Sequence, residues 1–297
     1  MTAVVEPPNP AAMPRPASSR RRRTLNLRAE RLVGLTIVVV LALAFIIVPL
    51  VSPVSSSDIS AMPLAPPSAR HLFGTDQLGR DIFVRAFEAG RIDLGLIVVS
   101  IAVAAFGGAL LGLIAACLPA VGRAVISRIT DATMAFPYIV LVIALAAALG
   151  NRELIPGLPR GAAAISIAIM IACWPPYTRL TMSRAIVLRE RDSVVAARVL
   201  GYGPMRILFR HIGPALVSTN LSYAATQAVA TTALVGSLAF LGVGIAPPTP
   251  ELGRMMADSV ALLPIAWWAP IIPGLVVLVL GVGFALMADS AGERNSR

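Results

Sequence analysis

The sequence predicts an all-α integral membrane protein with six transmembrane helices. Three observations carry this prediction. Hydrophobic residues make up 57% of the 297, and only 13% are charged, about half the fraction usual in soluble domains. The apolar residues gather in six runs of roughly the 20 residues needed to cross hydrocarbon. All 25 basic residues are arginines, and they lie in the gaps between the runs.

Residues 1–31, rich in Pro, Ala, Ser and Arg, read as a disordered cytoplasmic tail. Leu32–Val51 is the first apolar run. It exceeds the roughly 7–15 residues of a signal-peptide core and more runs follow, so a membrane helix is preferred. Residues 52–92 form an extracytoplasmic segment, and the core follows over 93–290. Its five runs fall at about 93–118, 133–150, 162–178, 215–237 and 268–288. The fourth of these five is the least apolar, and its Ser, Thr, Asn220 and Gln227 suit helix contacts or a polar pathway.

The arginines set the orientation. With the N-terminus inside, 18 of them face the cytoplasm and seven face out, as the positive-inside rule requires. Both termini are then cytoplasmic, as is the segment 179–214. The same clustering in gaps argues against a nucleic-acid stripe.

Chemistry within the chain is largely excluded. A phosphate-cradling GxxxxGK[ST] loop cannot exist without lysine, and neither GxSxG nor HExxH occurs. His71 sits beside Asp76 and Asp81, but one imidazole in a loop is a weak metal site, and none is assigned. Cys117 and Cys173 lie inside apolar runs and read as small packed side chains. The runs hold almost no charge away from their ends, where Asp93 and Asp289 stand. A proton- or sodium-coupled carrier therefore lacks its usual intramembrane groups.

The segment 192–214 breaks the apolar pattern. A helical stretch over 179–201 ends at Gly201, because glycine enters the left-handed conformation freely. Tyr202-Gly203-Pro204 makes a turn, and proline suits the first turn of the next helix. There Met205, Leu208, Phe209 and Ile212 recur at helical spacing, Arg206 and Arg210 share another face, and Gly213-Pro214 ends the helix. One reading is an amphipathic connector in the headgroup layer. The other is a docking element for a cytoplasmic partner, with Ala196, Ala197 and Gly201 permitting close approach.

Val195-Ala196-Ala197, Gly201 and His211-Ile212-Gly213-Pro214 have the spacing of a known motif. They resemble the EAA loop of ABC importer permeases. Val195 stands where that family has Glu, and Gly213 where Leu is common. HLFGTDQLGRDIFVR (71–85) is similar to the FGTDxxGRD signature of dipeptide, oligopeptide and nickel permeases, carried here by Phe73, Gly74, Thr75, Asp76, Gly79, Arg80 and Asp81. SLAFLGVGIAPPTPELGRMM (237–256) resembles their FLGLGxxPPxPxWG segment, and 267–290 resembles their last span, with Ala288-Asp289 for Gly-Asp. The long first connection matches the second of the two paralogous permeases.

The resemblance implies a type I importer fold with a coupling-helix loop, in a bacterial plasma membrane. It implies a homologous permease partner, two cytoplasmic ATPase subunits that bind ATP and Mg, and an extracytoplasmic solute-binding protein. The chain itself would hold no cofactor and hydrolyse nothing. Val195, Ala196, Ala197, Arg198, Gly201, Tyr202, Gly203, Arg206, Arg210 and Pro214 would form the ATPase-docking loop. The substrate implied is a short peptide, with nickel or another small solute as the alternative. An ATP-independent channel or secondary transporter would have no need of the loop.

Local chemistry gives plainer readings beside these. Asp76 and Asp81 suit turn capping, with Arg80 pairing one of them. APPTP (246–250) suits a stiff turn, and Trp267-Trp268 an interfacial anchor. Asn220, Tyr223 and Gln227 serve equally as pathway lining or helix packing.

Overall fold

The computed structural model describes residues 17–59 and 61–292, with side chains over 29–59 and 61–288. Residues 1–16 of the expected tail, and Arg294 and Arg297 at the other end, lie outside the described residues. The remainder of the expected tail is helical in backbone, because α1 spans Ala17–Val51.

The described residues form ten α-helices. After α1 come α2 (Ile82–Cys117), α3 (Ala120–Met134), α4 (Tyr138–Leu149) and α5 (Ala162–Leu188). Then follow α6 (Asp192–Val199), α7 (Pro204–Ile207), α8 (Gly213–Phe240), α9 (Leu252–Ser259) and α10 (Trp268–Gly292). Among the described residues, pairing of extended backbone is confined to two isolated bridges, Ile59 with Arg80 and Thr75 with Asp81.

Among the described residues, four helices are long and apolar enough to cross a membrane: Ala29–Val51, Ile82–Cys117, Ala162–Leu188 and Trp268–Ala288. The pair α3 and α4, bent by 86°, makes a fifth crossing if taken as one span. The single run expected at 133–150 is thus a 12-residue helix set sharply against its predecessor. Pro137 explains the corner, since it lacks an N–H and biases Phe136 away from the helical region. α8 has 28 residues but is too polar for the same set. Its Thr226, Thr232 and Ser237 hydroxyls donate to carbonyls one turn back, on Ser222, Ala228 and Ala233.

The helices run between two ends. One end carries 52–59, 61–81 and 241–267, the other carries 189–212. α2 and α5 pack side by side as the central pair, α8 and α10 close around them, and α1 lies against α10 and α2. Glycines set the separation. A Cβ on Gly112 would lie 2.5 Å from the Thr178 carbonyl oxygen, and one on Gly108 would lie 2.8 Å from Tyr177 Cβ. Thr178 Oγ1 uses the approach, donating to the Gly108 carbonyl at 3.0 Å. Small residues four apart let two backbones meet, which is how helices gain dispersion and polar contacts where lipid removes the hydrophobic drive. Gly34 and Gly283 play the same part between α1 and α10, where a Cβ on Gly34 would lie 2.8 Å from the Gly283 carbonyl oxygen.

Two expected boundaries move. The run expected from residue 93 begins at Ile82, where Asp81 caps the helix by accepting from the Phe83 and Val84 amides. The stretch expected as one helix over 179–201 breaks after Leu188, and Arg191 caps α6 in an extended conformation. Arg189 turns back there to donate to the Ala116 carbonyl, satisfying an orphan acceptor at the end of α2.

The α2–α5 crossing is the fold's most demanding contact. Gly112→Leu should lower stability by about 3 kcal/mol, as overpacking against backbone does. Gly107→Ala, with open space around its Cβ position, should leave it unchanged. Thermal unfolding of the purified variants measures the difference.

Candidate functional site

Three places gather the residues singled out by the sequence: the loop 192–214, the signature 71–85 with its neighbour 237–256, and the groove beside α8.

The loop is a closed piece of structure. α6 ends in a Schellman motif, with the Gly201 amide donating to the Arg198 carbonyl and Tyr202 to Ala197. Gly201 takes φ +78 in open space, so its conformation and not crowding demands glycine. Gly203 then caps α7, with Pro204 at its start. The Arg206 guanidinium lies 5.0 Å over the Tyr202 ring, a cation–π contact. Arg198 donates to the Arg189 carbonyl.

The buried side of the loop is Val194, Ala197, Ile207, Leu208 and Ile212, packed on Leu113 and Ala116 of α2 and Ala185 of α5. This corrects the expected apolar face, since Met205 and Phe209 are exposed. It also corrects the expected break at Gly213-Pro214. The chain stays helical from Pro204 to Phe240 through a π-turn over Leu208–Ile212, where the Gly213 amide donates to the Leu208 carbonyl. A π-turn inserts one residue into the helical phase, so the face rotates. It also absorbs the donor missing at Pro214. Outside lie Val195, Val199, Leu200, Met205 and Phe209, with Arg206 and Arg210 among them. Val199 is 83% exposed. A patch this apolar beside arginines is uncommon on a surface without a partner.

The signature is built as scaffold. Thr75 is fully buried, its hydroxyl accepting from the Ala65 amide and donating to the Met62 carbonyl. Gly74, at φ +73, faces the Trp268 ring, and Trp268 Nε1 donates to the Thr75 carbonyl at 3.4 Å. Gly79, at φ +75, presses on the Ala61 carbonyl. Asp76 accepts from the Leu78 and Arg80 amides and pairs with Arg80 Nε at 2.7 Å and Arg85 Nε at 3.5 Å. Asp81 caps α2 with one oxygen and holds His71 Nδ1 at 2.8 Å with the other. Phe73 meets the Phe83 ring edge-on at 4.9 Å. The Trp pair divides: Trp267 is exposed, but Trp268 is buried under the signature instead of standing in the interface.

Beside α8 runs an apolar groove of about 810 Å³, bordered by α2, α8 and α10. Asn220 lines it, accepting from Thr181 Oγ1 and donating to the Leu216 carbonyl. Tyr223 meets Tyr177 edge-on at 4.9 Å, and Gln227 Nε2 donates to Cys173 Sγ at 3.2 Å. Those two side chains therefore face α5.

Sequence reasoning missed the carboxyls of Asp93 and Glu251, both buried. Asp93 Oδ2 accepts from the Leu252 amide at 3.1 Å, joining α2 to the start of α9. Glu251 Oε2 accepts from the Ile245 amide at 2.7 Å. Asp93 was read as the end of a run, and only the helix's extension to Ile82 places it inside.

The described residues form a bundle of membrane-length helices with one sharply bent pair and a glycine-turn loop at one end. The chain belongs to the family described as binding-protein-dependent transport system inner membrane component, which it matches over residues 108–294. It is a multi-pass membrane protein and a transport permease, not an enzyme. It is 34% identical to the di/tripeptide transport system permease protein DppC of Pseudomonas aeruginosa, over 86% of this chain and 84% of the relative. It is 36% identical to the dipeptide transport system permease protein DppC of Alkalihalophilus pseudofirmus, over 87% and 82%.

Asp81→Ala should cost about 1–2 kcal/mol by removing the α2 cap and the His71 contact. Asp81→Asn should cost less, because Asn caps equally well. Parallel melts of the two variants measure the order.

Proposed function

We propose that this chain is one of two paired permeases in an ATP-driven importer of short peptides. The observation that carries the proposal is the family match together with peptide-transport permeases as relatives over most of both chains. α1, α2, α5, α8, α10 and the bent pair α3–α4 make six crossings, with α8 shielded by its neighbours from full lipid exposure. Arg189, Arg191, Arg198, Arg206 and Arg210 gather at the loop end, which supports a cytoplasmic placement of that end and of both termini.

The loop 192–214 receives one of two ATPase subunits, which bind ATP and Mg. Its exposed Val195, Val199, Leu200, Met205 and Phe209 supply packing, and Arg206 and Arg210 supply charge. With Val195 in place of Glu, this grip rests on packing and on these arginines. The inner side of the loop is seated on the ends of α2 and α5, so a push on the loop reaches the central helix pair. Alternating access follows: ATPase closure moves the loops and changes the side to which the space between the two permeases opens. An extracytoplasmic binding protein delivers the peptide at the opposite end, where the signature holds 52–81 against Trp268 and α2.

Gly201→Val should abolish co-purification of the ATPase and uptake of a labelled dipeptide, while membrane insertion persists. Gly201→Asn should retain both, since Asn tolerates the left-handed conformation. Normal uptake by Gly201→Val sinks the docking role, and dipeptide uptake unaffected by loss of the whole chain sinks the substrate. For orientation, Met205→Cys in a Cys117→Ser background should resist a membrane-impermeant thiol reagent in intact cells and react in inverted vesicles.

A further inference from the structure

One face of α3 lies uncovered among the described residues. The helix packs on α5 through Ser127, whose hydroxyl donates to Met182 Sδ at 3.9 Å, and through Met134, whose Sδ lies 4.0 Å from Arg179 Nη1. On the same side Thr130 is buried, its hydroxyl turned back to the Ile126 carbonyl. The face turned away from α5 carries Val121, Val125 and Ile129, one turn apart and 78%, 53% and 54% exposed. Phe136, also exposed, follows at the corner before α4. Ala124, Arg128 and Asp131 form a third, more polar face between these two, all of them exposed. Asp131 there pairs with Arg179 at 3.2 Å.

Contacts with α5 fix the depth of this helix. The apolar part of α5 gives way after Thr178 to Arg179, Arg184 and, just past its end, Arg189. Arginines at the end of a membrane helix carry their charge to the boundary with water. α3 meets α5 at Arg179 and Met182, hence at that boundary. α4 starts deeper, because Tyr138 Oη lies 3.5 Å from Cys173 Sγ, midway along α5. Its 12 residues rise about 18 Å, against roughly 30 Å of hydrocarbon. The 86° bend turns α3 off the line of α4, so α3 runs obliquely along the boundary at the loop end. Water, another helix and lipid are the candidates to cover its apolar face. Three branched side chains one turn apart gain by leaving water. Helices that meet in this fold do so over small residues, at Gly112 and Thr178 and at Gly34 and Gly283. The glycine of α3 is not placed for such a meeting, since a Cβ on Gly122 would lie 3.3 Å from Leu118 Cβ. Arg128 borders the apolar face and Arg179 stands beside Asp131, an arrangement that suits lipid phosphates above and acyl chains below.

We propose that α3 is an interfacial lipid anchor: Val121, Val125 and Ile129 lie among the acyl chains of the leaflet at the loop end, with Arg128 and Arg179 at the level of the phosphates. The anchor holds the end of α5 at a set depth in the bilayer. Loop 192–214 is seated on that same end, at Ala185, so its height above the membrane is set by the lipid contact of α3. The anchor requires that the chain lie in a membrane and is indifferent to what the chain carries.

The test uses the full-length chain, purified with its accompanying subunits and placed in vesicles of phosphatidylethanolamine and phosphatidylglycerol. In a Cys117→Ser background, Val121→Cys, Val125→Cys and Ile129→Cys are compared with Ala124→Cys and Arg128→Cys. A water-soluble maleimide is the probe, and the mass of peptides from this chain alone is followed; Cys173 is buried and stays in place. The three apolar-face cysteines should react about tenfold more slowly than the two on the polar face, the ratio that burial of one such side chain supports. In the wild type, a phospholipid with a photoactivatable diazirine on its acyl chain should label residues 121–129. Equal maleimide rates on the two faces overturn the proposal and put the apolar face in water. Slow maleimide reaction without lipid adducts overturns it too, and puts a protein neighbour there. If the cysteine variants do not assemble, the wild-type photolabelling decides by itself: adducts at Val121, Val125 or Ile129 support the anchor, and their absence overturns it. Neither readout involves peptide or ATP, so the outcome is independent of the transport assignment.

Discussion

The approach of α2 to α5 at Gly108 and Gly112 is the constraint on which the remaining architecture depends. In lipid, helices gain little by hiding apolar surface from one another, so close backbone contact and buried polar bonds must hold them. Thr178 supplies both, sitting fully buried with its hydroxyl on the Gly108 carbonyl. Its hydroxyl also lies 3.2 Å from the Trp174 carbonyl one turn back, just before Pro175 and Pro176. Separating the pair by one methyl group would unseat everything attached to its ends.

Both ends are attached differently. At one end the loop closes over α2 and α5 with small and aliphatic side chains, and Arg189 ties the last turn of α2 to the start of the loop. The loop's inner face is thus part of the core, while its outer face is left apolar. A push applied outside is transmitted because the inner side cannot slide without opening the packing. At the other end the attachment is polar. Thr75, Asp76 and Asp81 hold their loop by backbone hydrogen bonds, Asp93 ties Leu252 to α2, and Glu251 closes the 245–251 turn on the Ile245 amide.

Much of this was legible in the residues. The apolar runs, the arginine-filled gaps and the left-handed Gly201 each follow from local chemistry, and each reads directly in the sequence. Asp76 and Asp81 serve as turn and cap residues with Arg80 as partner, because Asx side chains reach only their own neighbourhood. What went unread involves distant partners. Asp93 looked like the edge of a run because a carboxylate in a helix needs a remote donor, here Leu252, 159 residues away in sequence. Gly213-Pro214 looked like a break because a π-turn that shelters proline leaves no local signature.

Gly107 and Gly108 show the division most clearly. By itself the sequence determined that this stretch is an apolar helix tolerant of glycine, since composition and length decide what can span hydrocarbon. It also determined which end bears the arginines and where the loop must turn left-handed. Only the tertiary structure decided that Gly107 faces open space while Gly108 meets the backbone of α5. The same holds for two carboxylates in one dry site and for a groove bordered by α2, α8 and α10. Local propensity is a property of a residue and its neighbours, but crowding and desolvation exist only once distant segments are brought together.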